Sequence, residues 1–148
     1  MHGVFEHLHT VLADEIDHLG HANNLAYLQW MLDAAAAHSA AQGWTVERYL
    51  KLGAAWVVRS HEIKYLFPAY EGDRLVVRTW LTDLKHFSTL RRYRMMRADD
   101  GRVVASAATQ WAFVDLASGA LKRIPPEMLA AFEFAPDEEP SAGEPLGS

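Results

Sequence analysis

Between Asp17 and Trp30 the chain reads DHLGHANNLAYLQW: a carboxylate, a glycine, a histidine and two asparagines set directly ahead of an apolar stretch with almost no charge. A carboxylate such as Asp17 can attack an acyl carbon or activate a water molecule. A helix starting beside it would offer unpaired backbone N–H groups and a partial positive charge, the donors that a developing oxyanion needs. Carboxylate plus helix terminus therefore suits acyl transfer. The plainer reading is that Asp17, Asn23 and Asn24 cap the helix and satisfy a loop.

Other chemistries are less well served. The chain has no cysteine, which excludes disulfides, thiolate metal sites and a cysteine nucleophile. His7, His9, His18 and His21 offer imidazoles that zinc or iron would accept, but their spacing matches no strong ligand motif, so no metal is assigned. No serine lies in G-x-S-x-G, and no Gly-rich phosphate or dinucleotide loop occurs, so no organic cofactor is expected. The run RRYRMMR from Arg91 to Arg97 mixes basic and aromatic residues, yet on a strand Arg91 and Arg92 point to opposite faces, and no nucleic-acid partner is expected.

The elements that would position the cluster follow from periodicity. From Asn24 to Gln42, Leu25, Leu28, Met31, Leu32, Ala35 and Ala36 recur at helical spacing, with Asn23 or Asn24 as cap and Gly43 as stop. Only Asp33 and His38 interrupt its apolar surface, which predicts a helix enclosed on most sides, with Asp33 paired to Arg59 or Lys64 or serving as an auxiliary acid. A strand over Val4–Ala13 precedes it. A short second helix around TVERYLKLG is followed by strands in AAWVVRSHEIKYLF, DRLVVRTWLTDL, STLRRYRMMRA and RVVASAATQWAFVD, joined by the turns YEGD and DDG. Such short connections force antiparallel pairing. The class is α+β, an antiparallel sheet of about five strands curled around one long helix. Both faces of the last strand are largely apolar, which predicts that another subunit covers part of the outer face.

A chain of 148 residues, half of them apolar, suits one domain, placed at residues 1–132. Five of its 19 acids fall at 133–148, a segment without Lys or Arg; without them the acids equal the 14 bases, so the body is about neutral. That acidic, Pro- and Gly-containing segment is expected to be disordered. No secretory signal opens the chain and no membrane span is evident, so a cytoplasmic protein is expected.

The motif D-x-x-G-H-x-N-N-x-x-Y, formed by Asp17, Gly20, His21, Asn23, Asn24 and Tyr27, resembles the signature of hotdog-fold acyl-CoA thioesterases of the 4-hydroxybenzoyl-CoA thioesterase type. Its continuation to Trp30 also resembles acyl-ACP thioesterases. VVRSHEIKYLFPAYEGDRLVV is similar to that family's second and third strands, and ALKRIPPEML to its final strand leading into P-P-E, so the resemblance runs from Phe5 to about Phe132.

The resemblance implies a hotdog fold, a homodimer or homotetramer with sites at subunit interfaces, and hydrolysis of an acyl-CoA or acyl-ACP thioester without cofactor. Asp17 would be the nucleophile or general base, with His21 and Asn24 orienting it or the substrate. Backbone N–H groups near Asn24 and Leu25 would polarise the thioester carbonyl. Gly20 and Tyr27 complete the motif at the substrate. The Ser88 region would lie along the pantetheine arm, with Lys85, His86 or Arg91 at the CoA phosphates. Trp30, Met31 and Trp56 would line the acyl pocket or simply form core. Alternatives are a hotdog enoyl-thioester hydratase or dehydratase and a non-catalytic acyl-CoA-binding module.

Overall fold

The computed structural model describes residues 3–134. The acidic segment from 135 on, expected to be disordered, lies outside the described residues. Five strands, β1 (Val4–Thr10), β2 (Ala54–Tyr65), β3 (Arg74–Leu84), β4 (Ser88–Arg97) and β5 (Val103–Asp115), form one sheet in the order β1-β3-β4-β5-β2, every pair antiparallel. The long helix α1 (Asn24–Ala41) lies in its curl, and the short helices α2 (Val46–Leu52) and α3 (Pro126–Ala131) close one end. This is the hotdog arrangement expected. No helix among the described residues is long and apolar enough to cross a membrane.

The curl has a local cause. Pairing skips one residue at Arg59 in β2, at Thr82 in β3 and at Val104 in β5; each bulge bends its strand and increases its twist. The concave face so formed meets α1 through Ala26, Tyr27, Trp30, Met31, Ala34, Ala35 and His38, which recur at three and four residues. Small residues on both sides, Ala34 and Ala35 against Ala105 and Ala107, belong to one core with Trp30 and Met31 and let helix and sheet approach closely. Burying Trp30 and Met31 alone contributes on the order of 2 kcal/mol each. Both are core, which settles their place between the two roles above.

Three expectations need correction. The first strand ends at Thr10, because Ala13–Glu15 turns into a short 3-10 segment. The final strand in ALKRIPPEML reduces to a single bridge from Leu121 to Val114, after which the prolines start α3. Helix α1 is not enclosed on most sides within one chain: Asn24, Leu25, Gln29, Asp33, Ala36 and Ala40 form an exposed stripe. Asp33 accordingly stands in that stripe, accepts a hydrogen bond from Gln29 at 2.8 Å, and among the described residues pairs with neither Arg59 nor Lys64.

Candidate active site

Asp17 to Ala22 fold into a tight hairpin ahead of α1. The Asp17 N–H donates to the His21 carbonyl at 2.8 Å, the Gly20 N–H to the Asp17 carbonyl at 3.0 Å, and Ile16 bridges Ala22. Gly20 holds φ +85° with open space around it, so glycine is required there by backbone conformation and not by crowding. The Asp17 carboxylate accepts the Leu19 N–H at 2.8 Å, its one partner among the described residues, and is half-buried.

Glu15 anchors the hairpin to the core. Its carboxylate accepts from the Leu12 N–H at 2.9 Å and the Trp30 indole N–H at 3.0 Å, and meets His9 Nε2 at 2.8 Å. Burial pushes the Glu15 carboxyl up, but these partners outweigh it and hold its pKa below the usual carboxylate value. The Glu15 carbonyl accepts both the Asn23 N–H and the Asn23 side-chain amide. His9, one of the four imidazoles weighed for a metal, is thus engaged by a carboxylate.

Asn23 caps α1: its Oδ1 accepts the Ala26 N–H at 2.9 Å. The Asn24 and Leu25 N–H groups have no acceptor among the described residues and stand at the positive end of the helix. Leu25 is 75% exposed, so its side chain buries little.

Beside this helix start runs an open groove of about 250 Å³, lined by His21, Ala22, Asn24, Tyr27, Tyr65, Leu66, Phe67 and Pro68. His21 packs edge-on against Tyr70, and Tyr27 lies buried, edge-on to Tyr65 and tilted against Trp30. Burial pushes the Tyr27 hydroxyl above its ordinary pKa, so it stays protonated at neutral pH. Asp17 sits in the hairpin next to the groove and is not part of its wall.

Asp17, Gly20, His21, Asn24, Leu25 and Tyr27 are therefore gathered at one end of the fold. Ser88, Lys85 and His86 are not with them. They occupy the β3–β4 turn, at the opposite end of the sheet, where His86 Nδ1 lies 2.7 Å from the Arg123 guanidinium and a surface hollow is lined by Leu84, Lys85, His86, Arg123, Ile124 and Leu129. Arg91, expected at CoA phosphates, is buried inside the curl and cannot reach a phosphate at the surface.

A second cavity, of about 170 Å³, lies at that opposite end between α1, the sheet and α3. Trp56 lines it and also packs against the core cluster of Phe113, Ile124 and Met128. Sequence reasoning missed Glu15 and the walls formed by Tyr65 and Phe67. Glu15 carried a signal, since an acid placed before N-N and an apolar helix is available to hold the loop, but its partners His9 and Trp30 come from elements distant in sequence.

The sequence matches the model of the thioesterase-like superfamily over residues 11–132. No curated protein sequence matches the chain. Among solved structures, the fold is similar to a 1,4-dihydroxy-2-naphthoyl-CoA thioesterase from Synechocystis, with 21% identity, a TM-score of 0.81, and 87% of this chain and 95% of that chain covered. It is also similar to a hypothetical protein from Staphylococcus aureus in complex with CoA, at 17% identity and TM-score 0.82, covering 88% and 83% of the two chains. A third likeness is a DHNA-CoA thioesterase from Staphylococcus aureus, at 15% identity and TM-score 0.81, covering 86% and 87%.

Proposed function

The chain belongs to the thioesterase-like superfamily and is a thioester hydrolase; from that premise we propose that it cleaves acyl-CoA thioesters to a carboxylic acid and free CoA in a site that begins at Asp17 and the N-terminus of α1. The observation that carries this reading is the juxtaposition of a half-buried carboxylate with two backbone N–H groups, of Asn24 and Leu25, that no residue described here uses. In the reaction those N–H groups bind the thioester oxygen as it gains charge, and the Asp17 carboxylate attacks the carbonyl carbon or draws a proton from attacking water. The C–S bond breaks and CoA leaves as its thiol, its sulfur taking up the proton lost by water; where Asp17 itself attacks, the acyl–aspartyl anhydride it forms is then hydrolysed by water to the acid and free Asp17. Asn24, freed from capping by Asn23, and His21 orient the carbonyl or Asp17, and Gly20 keeps the hairpin shape that holds Asp17 beside the groove.

The site is completed by a second copy. Among the described residues β2 has a single sheet partner, β5, and its residues Val58 to Glu62 are exposed. Two chains joined antiparallel along this edge set the Asn24–Tyr65 end of one against the Trp56 and Ser88 end of the other. Residues that stand apart in one chain then meet: Asp17 and His21 from one copy, Ser88, Lys85 and His86 from its partner. The same reading includes a homodimer or a tetramer built from it, a cytoplasmic location, and a finer kinship to the 4-hydroxybenzoyl-CoA thioesterase type. An acyl carrier protein in place of CoA is the variant of this reading that the resemblance leaves open.

The hydrogen bond from Leu19 favours a second reading, in which Asp17 only holds its turn and the chain binds acyl-CoA without cleaving it. Thiol release from short, long, branched and aromatic acyl-CoAs, read with a thiol-reactive dye, separates the two. The protein has no cysteine to contribute background. Release is expected from at least one acyl class, and its absence from all of them favours binding alone.

A further inference from the structure

Arg91 points from β4 into the cavity at the far end of the curl, with only 5% of its surface exposed. Among the described residues both of its hydrogen bonds use Nη1, which lies 2.9 Å from His38 Nδ1 and 3.1 Å from Thr79 Oγ1. Nε and Nη2 have no acceptor among the described residues. His38 is itself buried, stacked on Phe5 and edge-on to Phe132. Burial and then the Arg91 charge lower its pKa to about 3, so it is neutral. Burial pushes the Arg91 pKa down, the Tyr93 and Tyr49 hydroxyls stand near it, and among the described residues no carboxylate pairs with it. A guanidinium keeps its charge at any ordinary pH, and a buried charge without a counter-charge is costly.

The rest of the wall is apolar, from Leu81, Leu84 and Trp56 to Ile124, Met128 and Phe132. Ala36, Leu129 and Phe134, also in the wall, are exposed, so the cavity opens to the surface. Trp111, on the same wall, has a buried indole N–H with no hydrogen-bond partner among the described residues. A dry cavity of about 150 Å³ holds a benzene ring, so the 170 Å³ here suits one ring or a chain of about six carbons.

From this we infer a binding site for a small apolar molecule that carries one carboxylate, with the Arg91 Nε and Nη2 donors on the carboxylate and the apolar wall around its body. Bidentate geometry of that kind is what a guanidinium supplies and what its neutral neighbours His38 and Thr79 leave unfilled. The carboxylate belongs either to a free acid or to the far end of an ω-carboxyacyl thioester, and one chemistry serves both.

Titration calorimetry of the full chain with hexanoate and benzoate, against hexanamide and benzamide, tests the site without any turnover. Each acid is expected to bind at least tenfold tighter than its amide, and Arg91→Met to abolish the difference. Equal binding of acid and amide by the wild type, or binding of none of the four, overturns the inference, and this comparison stands even where Arg91→Met fails to fold. Ala36→Phe, which fills the mouth and leaves Arg91 in place, is expected to weaken acid and amide alike; unchanged acid binding in that variant places the carboxylate elsewhere and overturns the inference too. The source is assigned by hydrolysis, an arm that rests on the thioesterase reading as the binding arm does not. Faster cleavage of adipoyl-CoA than of hexanoyl-CoA, lost in Arg91→Met, assigns the carboxylate to the substrate. Equal rates with acid binding intact assign it to a free acid.

Discussion

Asn23 gives both its backbone N–H and its side-chain amide to one acceptor, the Glu15 carbonyl, at 2.8 and 3.0 Å. With its Oδ1 closing the first turn of α1, the polar groups of Asn23 on that side are committed to structure, and Asn24 stands outside the cap. Asn23→Ala should cost roughly 1–2 kcal/mol, a drop in Tm of several degrees. Asn24→Ala should leave Tm within about 1 °C of wild type, as an exposed residue without a cap does, and lower kcat. Paired melting and turnover measurements check both; equal melting losses would reassign the cap.

At Gly20 the backbone conformation alone forbids a side chain, since nothing lies within 4 Å of an added Cβ. Gly20→Ala is expected to cost about 1–2 kcal/mol through the left-handed backbone. Because the strain falls inside the Asp17 hairpin, kcat should fall further than the stability loss explains at temperatures where the variant is fully folded.

Glu15 holds three donors on one carboxylate. Gln in its place keeps one acceptor oxygen and adds a donor, so one or more of Leu12, His9 and Trp30 loses its acceptor, at about 1–3 kcal/mol. Its folded pKa is depressed, so its contribution is complete above the unfolded value of 4.5 and is lost as pH falls through the folded one. Glu15→Gln should therefore narrow the gap to wild type in melts carried below pH 4.

His38 gives the chain a second acid sensitivity. Its pKa is 6.5 unfolded and about 3 folded, so the unfolded state takes up a proton that the native state refuses. Stability from this group is complete above pH 6.5 and falls by about 1.4 kcal/mol for each pH unit below it, until pH nears 3. His38→Asn keeps an acceptor for Arg91 and cannot titrate, so its melts from pH 7 to 4.5 should lack that slope. An unchanged slope would mean that His38 titrates freely.

How far the sequence carried the fold depended on whether the signal was local. The alternation along Val103–Val114 and the three-and-four spacing from Leu25 to Ala36 are properties of a few neighbouring residues, and both elements formed within a residue or two of the expected ends. The bulges at Arg59, Thr82 and Val104 left no such trace, because they arise from pairing with a distant strand. The candidate site divides the same way. Asp17 to Tyr27 is one stretch and stays together, whereas Ser88, Lys85 and His86 lie beyond the far end of the 11-residue β3 and join it only if a second chain brings them. Arg91 shows the remaining gap: alternation put it on the face opposite Arg92, but only the packing of α1 and α3 decides that this face is interior.

The central claim, that the Asp17 carboxylate acts at a thioester held by the start of α1, is tested most directly by kcat for Asp17→Asn on the best acyl-CoA substrate. Asn keeps an oxygen for the Leu19 N–H, so the hairpin and Tm should be preserved while the nucleophile or base is removed. We predict a loss of at least a hundredfold in kcat with little change in KM and an unchanged melting temperature. Near-normal kcat in a well-folded Asp17→Asn protein would contradict the account and leave Asp17 as the residue that closes its own turn.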